Sequence, residues 1–213
     1  MSEQQLGGVV APRRSGTYGG QTQQERAADR RERIVAAAVQ LFAARDYDDI
    51  TVADVCALAK VSKRYFYDDF TDREDLLLVV HRQQNDWLLA GVAAAAPKRP
   101  EDLEQLLRPM LVTLVGMLLE QPARARVIYI NAPRMETRRR GLLRKDVELF
   151  GRLVRPFVRR SRDKARHERL LLALMAGLSE VVMDWVSRGM TDPPEPLVEH
   201  LTAYALAVLG ALR

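Results

Sequence analysis

The chain has 213 residues, 47% hydrophobic and 29% charged, a length and balance that argue for one modest module plus a larger one, or a single elongated body, rather than for disorder. A formal net charge of +5 with a pI of about 9.6 favours contact with polyanions. The single cysteine, Cys56, excludes an internal disulfide and a cysteine-cluster metal site and suits a reducing cytoplasm.

No apolar run approaches the roughly 20 residues needed to cross a bilayer, and the N-terminus lacks a signal-peptide pattern, so the expectation is a cytoplasmic protein with no membrane partner. Residues 1–24 are rich in Gly, Gln, Ser and Thr without apolar periodicity and read as a flexible arm. Arg13 and Arg14 in that arm either reach DNA or are simply solvated.

From about Glu25 the pattern is helical throughout, which predicts an all-α fold. In the first helix Ile34, Ala38, Leu41 and Phe42 form one apolar face. Arg30, Arg31 and Arg33 crowd its start, where a counter-anion would relieve their opposition to the macrodipole. Thr51, with Asp54 three residues on, predicts a capped helix to about Ala59. Ser62 caps a short helix ending near Phe70, and Thr71 with Glu74 repeats the capping box before a long helix carrying Leu76, Leu77, Val80, Trp87, Leu88 and Gly91 on one side.

That helix ends before Pro97 and Pro100. The domain boundary is placed inside it, giving an N-terminal unit over 25–78 and a C-terminal unit over 79–213. Further helices are read at Glu101 to Glu120, Pro122 to Asn131, Glu136 to Arg160, Lys164 to Arg188 and Pro194 to Leu212. Pro122 and Pro194 suit first-turn positions. Pro109 and Pro156 should kink or divide their helices.

Within Ile50 to Leu77, the side chains Val55, Cys56, Ala59, Val61, Phe66 and Phe70 can close a small core under Ile34, Ala38 and Phe42. Ser62, Lys63, Arg64, Tyr65 and Tyr67 then stand near the exposed start of the second helix of the pair. A short helix with donors at that end is what a major groove admits.

The segment resembles the helix-turn-helix of TetR-family regulators. It supplies a helix ending in Leu41–Phe42, a Thr51-started helix, Val61–Ser62 in the turn, Tyr67 through Phe70 closing the recognition helix, and Arg73, Leu76 and Leu77 beyond. The resemblance covers about Arg30 to Leu78. It implies that Thr51 and Tyr67 hold phosphates, that Lys63, Arg64 and Tyr65 face base edges or phosphates, and that Arg73 clamps the backbone.

Two departures stand out. Lys60 occupies a turn position where the family commonly has Gly, so a differently shaped turn is expected. Asp68 and Asp69 near the end of the recognition helix would repel phosphate unless they point away, pair with Arg64 or Arg73, or accept from a cytosine amino group.

The last two helices are apolar well beyond one face. The resemblance assigns them to a two-fold interface, with Leu174, Leu178, Val181, Leu197, Leu201, Tyr204 and Val208 as candidate contacts. A dimer would hold two recognition helices at half-sites about 34–36 Å apart, on a palindromic double-stranded operator. The resemblance also places a ligand pocket among the central helices, with Trp87, Met110, Leu114, Met117, Tyr129, Met175 and Met183 as candidate lining for an unidentified small molecule. The arginines from Arg134 through Arg166 form either a solvated face or an anion-binding one.

The histidines His81, His167 and His200 have no metal-ligand spacing, and no HExxH, GxSxG, CxxC or Gly-rich phosphate loop occurs. The sequence therefore predicts no enzyme, no metal and no cofactor. It reads as a homodimeric transcriptional regulator, most simply a ligand-released repressor. The alternative is a helical ligand-binding or protein-interaction module with weak or non-specific DNA binding.

Overall fold

In a computed structural model of the chain, the residues described are 22–131, 136–158 and 163–212, the side chains of 136–142 excepted. Most of the N-terminal arm, including Arg13 and Arg14, lies outside them, as do the side chains of Arg134, Arg138, Arg139, Arg140, Arg159, Arg160 and Arg162. The described residues form α1 (Gln23–Ala44), α2 (Val52–Ala59), α3 (Lys63–Asp69), α4 (Arg73–Ala94), α5 (Leu103–Glu120), α6 (Pro122–Arg126), α7 (Glu136–Val154), α8 (Lys164–Ser187) and α9 (Pro194–Gly210). The fold is all-α.

Helix starts follow the local chemistry. The Thr22 side chain accepts from the Glu25 N–H, and the Glu25 carboxylate accepts in return from the Thr22 N–H. Thr51 and Asp54 do the same for α2. At α4 the cap is Asp72, whose carboxylate accepts from the Asp75 N–H at 2.7 Å, rather than the expected Thr71 with Glu74. A shorter, charged acceptor one residue on meets the same need.

The turn between α2 and α3 keeps its shape without glycine. Lys60 adopts φ 55 and ψ 47, in the left-handed region. The Val61 N–H reaches back to Cys56 O at 3.0 Å and the Lys60 N–H to Ala57 O at 3.3 Å, a Schellman closure. The expectation of a differently shaped turn is thus corrected: the hydrogen bonds and the packing of Val61 against the first core offset a penalty of about 1–2 kcal/mol.

α5 runs through Pro109 undivided, whereas α7 gives way at Val154 to a 3-10 turn containing Pro156. The helix expected over Pro122 to Asn131 is α6 followed by a π turn, Val127–Asn131. α8 corrects the reading of the apolar runs: it spans 24 residues, with a window of mean hydropathy 1.6, long and apolar enough by length and composition to cross a membrane. Here it packs against α7 and α9.

Two cores result. α1 to α4 enclose Ile34, Phe42, Val55, Phe66 and Leu76, all fully buried. The second core joins Leu88 of α4 to α5, α8 and α9, with Leu103, Leu118, Leu174 and Trp185 at its centre. Val127 of the π turn belongs to the first core and its neighbour Ile128 to the second.

Candidate DNA-reading surface and internal cavity

α3 presents its polar side outward while Phe66 is fully buried beneath it. Ser62, Lys63 and Arg64 are exposed, as are Tyr65 and Tyr67. Ser62 caps α3 without a side-chain hydrogen bond, so its hydroxyl is not spent on the helix. Tyr65 is steadied by the Arg30 guanidinium, 4.3 Å from its ring, and Tyr67 meets Phe66 edge-on at 5.3 Å.

The arginines of α1 act inward, which corrects their reading as a crowd at a helix start. The helix begins at Gln23, so Arg30 lies about two turns inside it. Arg31 stacks over Phe70 at 4.7 Å. Arg33 donates to Ala59 O at the end of α2, satisfying a carbonyl the helix leaves open.

Thr51 and Arg73 are also turned to structural work. The Thr51 hydroxyl donates to the Asp54 carboxylate at 2.8 Å. That bond and the Thr51 N–H hold the Asp54 carboxyl below its usual range, the backbone bond contributing most. Arg73 donates to Tyr47 O at 2.7 Å and to Ile50 O, with its guanidinium 3.9 Å over the Tyr47 ring. Through one guanidinium nitrogen it ties α4 to the loop before α2. Asp68 is exposed and Asp69 half-buried, and neither forms a salt bridge among the described residues.

Behind this surface, α4, α5, α7, α8 and the π turn enclose a cavity of about 460 Å³, a size suited to a small organic ligand. Met110, Leu114, Tyr129 and Met175 line it. Trp87, Met117 and Met183 do not: Trp87 lies under the Arg124 guanidinium at 4.3 Å, and Met117 packs on Gly91 so closely that a Cβ there would fall 2.4 Å from its Sδ. Met183 is half-buried away from the cavity wall.

Sequence reasoning missed the cavity's polar corner. Asp146 lines it, accepting from the Asn85 side-chain amide at 3.4 Å. Burial, with the Asp86 charge adding to it, pushes the Asp146 carboxyl up to about 6. It missed Asn131 as well, 1% exposed, which donates to Phe42 O at 2.6 Å and accepts from the Tyr47 N–H at 2.7 Å.

On α8 and α9 the proposed interface residues divide. Leu174 and Leu201 are buried inside the protomer, 0% and 1% exposed, and belong to its own core. Leu178, Leu197 and Val208 are half-buried, while Val181 and Tyr204 are exposed at 44% and 37%. Tyr204 also braces the helix pair, donating to Ala173 O at 3.1 Å across Gly177.

Residues 34–80, which hold all of the first core but Val127 and all of the α2–α3 pair, match the family model for bacterial regulatory proteins of the tetR family. Residues 34–80 thus carry the TetR-family N-terminal module. The match supports a DNA-binding transcriptional regulator, with α3 as the candidate recognition helix. Solved structures share the architecture at low identity. The fatty acid degradation regulator FadR of Bacillus halodurans is 20% identical with a TM-score of 0.66, over 86% of this chain and 96% of that one. A tetR-family regulator from Streptomyces coelicolor is 16% identical with a TM-score of 0.66, over 86% and 82%. A TetR-like regulator from Rhodococcus sp. RHA1 is 22% identical with a TM-score of 0.59, over 85% and 96%. No curated protein matches the chain by sequence.

Proposed function

We propose that the chain is a cytoplasmic homodimeric repressor that binds a palindromic operator and is released by a small-molecule ligand. The observation that carries the reading is the π turn: Val127 and Asn131 are held in the DNA-binding half, while Ile128 and Tyr129 line the cavity. A ligand that prefers one position of this turn acts on the loop before α2 and on α1, against which α3 packs.

Two features support dimerisation. Only 33% of the most apolar window of α8 is buried within one copy, and Val181 and Tyr204 add exposed apolar surface on α8 and α9. A second copy related by a two-fold axis would cover this surface and set the spacing of two recognition helices. In this reading Ser62, Lys63, Arg64, Tyr65 and Tyr67 contact DNA, and Thr51 and Arg73 hold the recognition helix from behind.

The reading is tested by selecting bound fragments from a random DNA pool with the purified protein. Recovery of a two-fold symmetric site supports it. Salt-sensitive binding with no sequence preference would favour the interaction-module alternative.

A further inference from the structure

The cavity wall is mostly apolar. Leu88, Met110, Leu114, Phe150, Met175 and Val182 surround the space. At the polar corner Asp146 faces Asn85 with no basic side chain paired to it among the described residues. Around it, α4 contributes His81 and the exposed Asp86, the π turn Tyr129, α7 the exposed Arg152 at the edge, and α8 only Ser179 among polar groups. α5 and α9 present only apolar side chains there.

A half-buried carboxylate with no paired cation among the described side chains already bears part of the cost of burial, so a ligand cation offsets a penalty the free protein carries. A ligand carboxylate seated at Asp146 would instead meet a like charge, and the arginine of the lining, Arg152, is exposed to solvent. We propose that the cavity takes an apolar molecule carrying a protonated amine, the ammonium seated against Asp146 and the hydrocarbon against Leu88, Met110 and Phe150. This names the ligand class for the ligand-release reading above, on which its consequence at the operator rests.

Isothermal titration of the full chain with dodecylamine and with dodecanoate, each below micelle formation, tests the proposal. Dodecylamine should bind saturably and more tightly than dodecanoate. Its affinity should fall as pH is lowered through about 6, where Asp146 becomes neutral. Asp146→Asn keeps the shape and a partner for Asn85 while removing the charge, and should weaken dodecylamine by roughly tenfold or more. Thermal unfolding of the variant checks that it is folded.

Tighter binding of dodecanoate, unchanged dodecylamine affinity in a folded Asp146→Asn, or no saturable dodecylamine binding would each overturn the proposal. Asp146-dependent dodecylamine binding that leaves operator affinity unchanged would uphold the ligand class and contradict release by ligand instead.

Discussion

The side-chain amide of Asn131 donates to the backbone carbonyl of Phe42 at 2.6 Å, fastening a π turn that borders the cavity to the last turn of α1. The same side chain accepts from the Tyr47 N–H, so one buried amide holds both the end of α1 and the loop that leads to α2. Arg126 adds an ion pair to Asp46 nearby. Replacing Asn131 with Ala strands a buried carbonyl and a backbone N–H, and should cost about 1–3 kcal/mol in chemical denaturation. If the turn transmits ligand binding, the variant should also show a smaller ligand effect on operator affinity than wild type, measured by fluorescence anisotropy.

Lys60 holds a left-handed conformation that glycine adopts without steric cost. Lys60→Gly should raise unfolding free energy by about 1 kcal/mol, the relieved strain exceeding the added flexibility of the unfolded chain. A loss of stability would mean that the Lys60 side chain contributes something that the turn geometry does not reveal.

Asp146 has a raised carboxyl value, so the folded protein binds its proton more readily than the unfolded chain does. The sign follows directly: its contribution to stability is fullest below about 3.8 and is lost as pH rises through about 6. Asp146→Asn should therefore melt at a higher temperature than wild type at neutral pH, with the difference closing in acid below the unfolded value. Equal melting temperatures across the whole range would contradict the half-buried placement of this carboxyl.

Leu174 and Val181 lie on the same helix but have different surroundings. Leu174→Ala should cost about 2–5 kcal/mol through a cavity in the protomer core. Val181→Glu should leave the protomer folded while shifting sedimentation toward the monomer, since it places a charge in the surface assigned to the second copy. Sedimentation unchanged by Val181→Glu would remove that surface from the interface.

The capped helix starts and the α1–α4 core were legible because they are local: Thr51 with Asp54, Ser62, and the spacing of Phe66 and Phe70 fix them within a few residues. What stayed hidden was long-range. Asn131 meets Phe42 across 89 positions, and nothing in its neighbourhood marks it. Asp146 sits among charged residues, in the run from Arg144 to Glu148, and reads as solvated until Asn85 closes on it. Arg73 matches a family position, yet its partners, Tyr47 and Ile50, are set by how the loop folds back. Trp87, Met117 and Met183 share helical spacing with the cavity residues, and only the rotation of each helix separates lining from packing.

The central claim is that the exposed face of α3 reads DNA sequence. The most direct measurement compares wild type with a Lys63→Ala, Arg64→Ala, Tyr65→Ala variant on a recovered symmetric site and on unrelated DNA, at the same salt. The account predicts that wild type prefers the site by roughly 10³ or more and that the variant, folded to the same helicity, loses this preference while keeping some non-specific binding. A variant that still discriminates the site as wild type does would contradict it.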